Sequence, residues 1–273
     1  MLKLVTCIKQ VPMVSELPWD SKRGTLKREI AGGMMNPACK HALEAALLLK
    51  NKLGAEITVI TMGPPMAEEV LHEALAMGAD RGILLTDPLM AGADTLATSY
   101  TLARVIEKEC IDFDLIFCGC NTTDSETAQV APQLTEELNV PGVMYVDDFE
   151  LKGKTLTIKR GVDGFLETLQ LDLPGLISIS TEHYSPRYPS FGGLQDAFDD
   201  VDIKVMNVSD IGIEPEETGH KGSPTKILDV YSPTTNKNNI VLSGSPRKIV
   251  EELFSRFDDK IGSAIGKDLK EYE

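Results

Sequence analysis

Strand-like and helix-like segments alternate along the first two-thirds of the chain, and this order constrains the fold more than any other feature. Short apolar runs rich in Leu, Ile and Val are followed by Gly, Pro or Asn and then by segments with helical periodicity. Strands that alternate with helices at this spacing form right-handed βαβ units. The alternation therefore predicts an α/β fold built on a mainly parallel sheet.

The individual elements can be placed from their apolar runs and from the residues that end them. Asn36-Pro37 is typical of a helix start, because Asn caps a helix and Pro suits its first position. Gly54 and Gly78 are typical of helix ends. We predict strands over 2–8, 56–62, 82–86 and 115–119, helices after 36–37 and after 63–65, and further helices over 94–110 and 127–138.

The pattern changes after residue 142, where strand-like runs follow each other without helices between them. Turns such as Lys152-Gly153-Lys154 join these runs, which is typical of antiparallel strands. We predict antiparallel strands, added to the sheet, over 143–150, 155–161 and 165–172, and a last buried strand over 176–180.

The rhythm of strands and helices is lost after residue 184. Residues 185–245 are rich in Pro, Gly, Asp and Ser, and 246–257 has the pattern of a short amphipathic helix. We therefore predict an α/β core over 1–184 and an extended C-terminal arm over 185–273, of a kind that packs on a partner protein.

Acidic residues outnumber basic ones by 42 to 27, which gives the chain a net charge of −15. Binding of nucleic acid or of anionic lipid needs clustered Lys and Arg, so the charge predicts that neither is a partner. No run approaches 18 consecutive apolar residues, and we predict no membrane span.

The chain contains five cysteines, an odd number, and its first residues resemble a strand rather than a signal peptide. This usage favours a reducing compartment, and we predict a cytoplasmic location. Cys118 and Cys120 lack the spacing of a metal site. We interpret them as the end of a buried strand.

The glycine-rich phosphate motifs, the nucleophile-elbow motif and the zinc-binding helix motif of common enzymes do not occur in the sequence. The candidate site must then come from loops at the carboxyl ends of the strands, where open α/β sheets bind ligands over helix N-termini. Four segments meet this condition, namely 6–9, 36–39, 61–64 and 119–130.

Polar side chains and open backbone amides in the loop over 119–130 suit a pyrophosphate. The residues are equally compatible with Asp124 and Ser125 acting only as helix caps. The residues alone leave both interpretations open.

A fifth segment, 91–100, places Thr95, Thr98 and Ser99 near one helix start. Their hydroxyls lie on neighbouring turns and could face a ligand. The alternative is ordinary capping of that helix by Asp94.

Several motifs match a known family and occur in the order of that family. The most specific is the run over 74–81, Ala-Leu-Ala-Met-Gly-Ala-Asp-Arg. The other matching stretches are Cys7-Ile8-Lys9-Gln10-Val11-Pro12, Asn36-Pro37, Met62-Gly63-Pro64-Pro65, 124–129, Pro186-Arg187-Tyr188-Pro189-Ser190 and Gly222-Ser223-Pro224-Thr225. On these motifs, which span nearly the whole chain, the sequence resembles the β subunit of electron-transfer flavoproteins.

The resemblance implies a Rossmann-like, adenine-nucleotide-binding core and a heterodimer with an α subunit that carries an electron-transferring FAD. In conventional members the β subunit holds a structural AMP. In members that perform flavin-based electron bifurcation, the β subunit holds a second FAD that takes hydride from NADH. One electron then goes to ferredoxin or flavodoxin, and the other goes through the α-subunit FAD to a partner dehydrogenase.

One segment separates these two branches. Residues 92–100 resemble the bifurcating branch, and conventional members lack this segment. The resemblance therefore favours FAD as the cofactor and NADH as the electron donor, with AMP and no bifurcation as the alternative. No catalytic side chain is implied, because the flavin itself performs the redox chemistry.

The resemblance also implies where the cofactor would lie. The adenine and ribose would be held by Cys7, Asn36, Pro37, Ala38, Cys39 and Met62. The flavin ring would lie against Asp94, Thr95 and Thr98. The pyrophosphate would lie on residues 124–130. The cofactor-binding residues implied along the loop from the strand end to this helix start are Gly119, Asn121, Thr122, Thr123, Asp124, Thr127, Ala128, Gln129 and Val130. Residues 120–123 replace the basic residue and Gln-Ala of the family, and Asp124-Ser125-Glu126 replaces its acidic-Gly-acidic run.

After Arg187-Tyr188 the family has a loop that docks on the dehydrogenase through an apolar anchor, followed in many members by lysines. Here Phe191 occupies the anchor position and the acidic stretch 195–200 replaces the lysines. This charge predicts a partner surface unlike that of the common acyl-CoA dehydrogenases. A lactate-oxidising dehydrogenase is one option for the partner, and an acyl-CoA dehydrogenase is the other. Packing of Phe191 on its own arm is the alternative.

A stand-alone nucleotide-binding or nucleotide-hydrolysing protein of similar fold is a competing interpretation. Such a protein would be stable without an α subunit and would not need the arm after residue 185. The arm and the run over 74–81 both disfavour it.

Overall fold

A computed structural model describes residues 1–13, 19–20, 25–26, 32–199, 203–226, 228 and 239–268. The chain divides into two compact units, Met1–Asp229 and Val230–Glu273. The strands of the described residues are β1 (Leu2–Cys7), β2 (Gln10–Pro12), β3 (Trp19–Asp20), β4 (Thr25–Leu26), β5 (Gly33–Met35), β6 (Ala55–Met62), β7 (Arg81–Leu85), β8 (Leu115–Gly119), β9 (Gly142–Val146), β10 (Asp148–Lys152), β11 (Thr155–Val162), β12 (Phe165–Asp172), β13 (Gly175–Ile179) and β14 (Ile203–Met206). The helices are α1 (Pro37–Leu53), α2 (Glu68–Met77), α3 (Thr95–Glu109), α4 (Val130–Glu137), α5 (Phe191–Asp199), α6 (Val208–Ile211), α7 (Gly219–Gly222) and α8 (Pro246–Asp268).

Seven strands of the first unit form one central sheet in the order β14-β7-β6-β1-β8-β13-β9. Every neighbouring pair in this sheet is parallel. Helices α1 and α2 cover one face through residues such as Leu43 and Leu71, while α3 and α4 cover the other through Leu102 and Leu134. Strands buried on both faces consist of continuous apolar runs, which explains why the sequence predicts them well.

The strand order reverses at β1, in the centre of the sheet. From β1 the chain passes through β6 to β7, with α1 and α2 on one face. It then returns through α3, on the opposite face, to β8 on the other side of β1. The carboxyl ends of β1 and β8 therefore flank a topological switch point, where open α/β sheets bind ligands.

The predicted fold class is confirmed, but the antiparallel strands do not extend the central sheet. Strands β10, β11 and β12 form a separate antiparallel sheet, and the run predicted over 143–150 is divided between β9 and β10. The division falls at Asp147, whose carboxylate accepts hydrogen bonds from the Gly161 amide at 2.8 Å and the Ser180 hydroxyl at 2.7 Å. Tyr145, with a φ of 57°, turns the backbone out of the extended conformation just before it.

The described part of the predicted arm is more structured than an extended segment. Residues 191–199 form α5, and β14 pairs with β7 as an edge strand of the central sheet. In the second unit, α8 reaches Asp268, although Phe257, near its predicted end, has non-helical angles. The parts of the arm at 200–202, 227, 229–238 and 269–273 lie outside the described residues. Among the helices of the described ranges, none combines the length and the apolar character that a membrane span requires.

Candidate functional site

Asn36 is fully buried and connects the start of α1 to the loop that follows β8. Its Nδ2 donates to the Asn121 carbonyl at 2.8 Å, and its Oδ1 accepts from the Thr123 amide at 3.1 Å. The expected capping of α1 by this side chain is wrong, because no cap hydrogen bond is formed. The amide group is used instead to hold the backbone of the loop after β8, which leaves Pro37 to start the helix.

Gly119 allows the end of β8 to approach the first turn of α1. A side chain at this position would place its Cβ 2.7 Å from the Ala38 carbonyl carbon and 2.8 Å from the Cys39 nitrogen. Only glycine permits so close an approach. The stretch 36–39 and the loop over 119–130 are thus brought together at the switch point, as the sequence predicts.

The backbone of this loop has an unusual conformation just before α4. Glu126 and Ala128 have φ values of 50° and 56°, in the left-handed region that side chains rarely adopt. As a result α4 begins at Val130, three residues later than predicted. The amides of Thr127, Ala128 and Gln129 donate no backbone hydrogen bond to any residue in the described part of the chain. Open amides that precede a helix N-terminus form an anion-binding concavity.

The two candidate caps of α4 are not used as caps. Both carboxylate oxygens of Asp124 accept hydrogen bonds from Lys9 Nζ at 2.9 Å, and Ser125 donates to Asp124. The residue at the cap position of α4 is Gln129, which makes no side-chain cap. The helix start is therefore open, and the Lys9–Asp124 pair partly neutralises the acidic charge beside it.

Two of the predicted adenine-binding residues are each preceded in sequence by a residue with a buried hydroxyl group. Thr6 precedes Cys7 at the end of β1, and Thr61 precedes Met62 at the end of β6. Both threonine side chains are fully buried, and neither finds a hydrogen-bond partner among the described residues. A buried hydroxyl without a hydrogen-bond partner costs free energy, so polar atoms of a ligand or of water at this edge would supply the missing hydrogen bonds.

The cysteines at this edge are structural thiols rather than reactive ones. Cys7 and Cys118 are register partners on β1 and β8, and both are buried. The hydrogen bond with Cys7, together with burial, raises the pKa of Cys118 well above its ordinary value, and burial raises the pKa of Cys39. A raised pKa keeps a thiol protonated and unreactive. This agrees with the interpretation of Cys118 as part of a buried strand.

The segment over 91–100 forms the N-terminus of α3 at the same edge of the sheet. The Oδ1 atom of Asp94 accepts from the Ala97 amide at 3.0 Å, so Asp94 does cap α3. Ser99 is buried and donates to the Leu96 carbonyl, whereas Thr95 and Thr98 remain partly exposed. Helices α3 and α4 pack on one apolar cluster, and each begins after the carboxyl end of a parallel strand, so these threonines and the open amides lie at the same edge of the sheet.

The loops at the carboxyl ends of the strands around the switch point are hereafter called the crevice. Phe191 lies apart from the crevice, on the face covered by α1 and α2. It belongs to a stretch over 187–199, hereafter the recognition segment, which contains α5. Phe191 is 95% exposed, so packing on its own arm is not observed. At the start of the segment, Arg187 forms a bidentate pair with the buried Glu44 carboxylate at 2.8 Å.

The recognition segment is held on α2 by contacts that the sequence does not reveal. The Ala197 carbonyl lies 2.7 Å from His72 Nδ1, and the ring of Phe198 stacks on the His72 ring at 4.5 Å. A side chain at Gly193 would overlap the Ala76 carbonyl, so glycine is needed for this packing. His72 is more than a hundred residues from Ala197 in sequence, and no local pattern signals their contact.

Comparison with known proteins places these features in a family. The family model described as "Electron transfer flavoprotein domain" matches residues 23–210. The chain is 39% identical over 259 residues to electron transfer flavoprotein subunit beta of Thermoanaerobacterium thermosaccharolyticum, covering 95% of this chain and 99% of that protein. It is 39% identical over 261 residues to the caffeyl-CoA reductase-Etf complex subunit CarD of Acetobacterium woodii, with the same coverage of 95% and 99%. It is 34% identical over 265 residues to the acryloyl-CoA reductase electron transfer subunit gamma of Anaerotignum propionicum, again covering 95% and 99%.

Proposed function

The chain belongs to the electron transfer flavoprotein family as a β subunit, and from this premise we propose that its crevice binds a second FAD used in electron bifurcation. The observation that carries the proposal is that two helices on one face of the sheet, α3 and α4, both begin at its carboxyl edge. Open amides precede α4, and the partly exposed Thr95 and Thr98 begin the neighbouring helix α3. AMP would need only the open amides before α4, whereas a dinucleotide would also need space at the start of α3.

The residues present fit such a cofactor. Cys7, Met62 and the stretch 36–39 lie at the carboxyl edge where the adenine and ribose would bind, next to the unpaired hydroxyls of Thr6 and Thr61. The amides of residues 127–129 and the start of α4 would receive the pyrophosphate. Pairing of Asp124 with Lys9 reduces the repulsion that a free carboxylate would exert on phosphate.

The remaining positions of the implied site divide into those that contact the cofactor and those that shape the loop. Thr95 and Thr98 would lie against the ring. Gly119, Asn121, Thr122 and Thr123 belong to the part of the loop that Asn36 and α1 hold in place. When bound, FAD supplies hydride acceptance from NADH and one-electron transfer, while the protein orients it and excludes water.

The proposed function includes several partner proteins. An α subunit would carry the FAD that passes electrons to a dehydrogenase, and ferredoxin or flavodoxin would accept the other electron. The names of two relatives place those proteins in complexes with a caffeyl-CoA reductase and an acryloyl-CoA reductase. For this chain, Phe191 would be the anchor on the dehydrogenase, and Asp196 on the same helix favours a partner surface that carries basic residues.

A conventional β subunit with a structural AMP is the second candidate function. The observation in its favour is that the Asp94 carboxylate caps α3, so this residue has a structural role that requires no ligand. In this case Thr95 and Thr98 would be ordinary residues of a helix start.

Nucleotide content separates the two candidates. The complex of this chain with its α subunit would be purified and denatured, and the released FAD and AMP would be counted per heterodimer. We expect two FAD and no AMP. One FAD with one AMP would contradict bifurcation and support the second candidate.

A matched pair of variants tests whether the second nucleotide occupies the crevice. Asn36→Asp cannot donate to the Asn121 carbonyl, so the loop after β8 should lose its position and the heterodimer should lose the nucleotide of this subunit. Asn139→Asp makes the same chemical change at an exposed residue outside the crevice and should retain it. Equal nucleotide loss from both variants, or from neither, would contradict the assignment of the site.

A further inference from the structure

The segment over 217–225, hereafter the brace, lies against the loop and helix start that contain Asp94. It includes the short helix α7 and contacts the stretch 89–101 at several points. Gly219 has a φ of 59°, and a side chain there would overlap the Leu89 carbonyl. The His220 amide donates to the Ala91 carbonyl at 2.9 Å. The two backbones are therefore in direct contact, which fixes the approach to α3.

Hydroxyl groups extend this contact along α3. Thr218 and Thr101 are both fully buried, and their hydroxyl oxygens lie 2.8 Å apart. The hydroxyl of Thr101 also donates to the Ala97 carbonyl within the first turn of α3. The adjacent residue Tyr100 donates to Glu217 at 2.9 Å on the exposed side. The buried Thr218 hydroxyl keeps Thr101 as its partner only while the brace is in place.

Asp94 and Ser223 form the central part of the contact. The Asp94 amide donates to Ser223 Oγ at 2.8 Å, and this hydroxyl donates in turn to the Gly219 carbonyl at 2.6 Å. While Asp94 Oδ1 caps α3, its Oδ2 accepts from the Thr225 amide at 2.9 Å. Both carboxylate oxygens are thus bonded to backbone amides of the protein, one in α3 and one in the brace.

The charge of Asp94 is stabilised by this arrangement. Burial acts to raise the pKa of the carboxyl, but the amides of Ala97 and Thr225 outweigh it and lower the pKa below its ordinary value. The side chain is therefore an anion whose two oxygens join two separate segments. A group with this role holds geometry rather than binding a ligand directly.

We propose that the brace positions the first turn of α3 for the flavin ring, and that Asp94 and Ser223 are positioning residues rather than cofactor ligands. This inference rests on the proposed function, because it assumes that Thr95 and Thr98 contact FAD. The brace follows β14 closely in sequence, so the sheet edge also fixes its starting point. Without the brace, the first turn of α3 and its threonines would lose the contacts that fix their position.

Two single variants break the brace in different ways while leaving Thr95 and Thr98 unchanged. Asp94→Asn keeps one oxygen for the cap of α3 but cannot accept from both amides. Ser223→Ala removes the hydroxyl between Asp94 and Gly219. Asp210→Asn is the matched control, because it removes a carboxylate that accepts from the Asn207 amide in α6, away from the brace.

The test is made on the heterodimer and has two readouts. The dissociation constant of FAD in this subunit should rise about tenfold in either brace variant, while the α-subunit FAD is retained as an internal reference. Hydrogen exchange should accelerate in the peptide over 91–101 and remain unchanged in α1 and β8. The double variant should weaken FAD binding less than the product of the single effects, since both changes break one unit.

The outcomes separate this inference from the function on which it rests. FAD in the unaltered heterodimer, together with unchanged FAD binding and unchanged exchange in both brace variants, would overturn the inference alone. The same result in the Asp210→Asn control as in the brace variants would also overturn it. AMP in place of the second FAD in the unaltered heterodimer would overturn the proposed function and this inference with it.

Discussion

The brace and the recognition segment both come from the part of the chain that lacks a regular sequence pattern, yet they are held in opposite ways. The brace is fixed by buried hydroxyls and backbone hydrogen bonds, with Gly219 in direct contact with Leu89. The recognition segment is held at Arg187 and at His72, while the apolar side chains of Phe191 and Phe198 are 95% and 68% exposed.

This difference matches two different tasks. A segment whose polar groups are satisfied inside the molecule maintains one geometry, as a permanently bound cofactor requires. A helix that is fixed on α2 and presents Phe191 to solvent has unsatisfied apolar surface, as a transient partner requires. On the proposed function, the face of α3 would position the cofactor and the face of α2 would dock the partner.

Glycine substitutions should give the largest contrast between the two segments. Gly219→Ala introduces a side chain at positive φ against the Leu89 carbonyl and should lower the free energy of unfolding by about 3 kcal/mol. Gly192→Ala, in α5, meets no atom within 4 Å and should be neutral or stabilising by up to about 1 kcal/mol. Urea unfolding of the heterodimer measures both, and equal effects would remove the distinction.

Truncation of the exposed anchor should affect docking without affecting stability. Phe191→Ala should weaken binding to the dehydrogenase by about 2 kcal/mol, near thirtyfold, because exposed aromatic anchors dominate such interfaces. The measurement is the second-order rate of electron transfer from the NADH-reduced heterodimer to a lactate-oxidising and to an acyl-CoA dehydrogenase. Phe165→Ala, a second exposed phenylalanine outside the recognition segment, is the control. If both variants behave alike with both dehydrogenases, Phe191 is not the anchor.

The hold of α2 on the recognition segment should be weaker than that of the brace on α3. His72→Ala removes the ring stack and the hydrogen bond to Ala197, and should promote local opening of α5 by about 1 kcal/mol. His72→Phe keeps an aromatic ring for the stack and should recover part of this loss. Hydrogen exchange over 191–199 is the measurement. Unchanged exchange in His72→Ala would show that other contacts hold the helix.

Acidification should produce the smallest effect, and it should appear in the brace. The pKa of Asp94 is lowered in the folded protein, so the ionised carboxylate stabilises the fold. This contribution to stability is fully present above the ordinary carboxyl pKa, about 3.9, and is lost as pH falls through the lower pKa of the folded state. Exchange over 91–101 should therefore rise below about pH 4. The Asp94→Asn variant should show a flatter pH profile, and an identical profile would assign the effect to other carboxyl groups.

Most of the central sheet could be predicted because its strands are buried on both faces. The run 115–119, for example, becomes β8 without change, and Gly119 marks the end of the strand. The approach of 36–39 to the loop over 119–130 was predicted for a related reason, since the carboxyl ends of parallel strands meet at one edge. The start of α4 was predicted three residues early, because Glu126 and Ala128 adopt positive φ values that no side-chain pattern signals.

The parts that could not be predicted depend on contacts between distant residues. The bonds of Asn36 to Asn121 and Thr123 replace the expected cap, and their partners lie about 85 residues away. The brace joins Asp94 to Ser223 across about 130 residues. The sequence motif Gly222-Ser223-Pro224-Thr225 marks this region as specific, but its hydroxyl and amide partners become visible only in the folded chain.

Strand β14 has a consequence for how the molecule is made. It pairs with β7 across about 120 residues, so β7 has an open edge until residue 206 has been synthesised. An unpaired strand edge on a nascent chain is prone to associate with other chains. The brace follows β14, so α3 gains its final support only late in synthesis. A ribosome-bound intermediate ending near residue 200 should therefore have the adenine half of its crevice before the half that would receive the flavin ring.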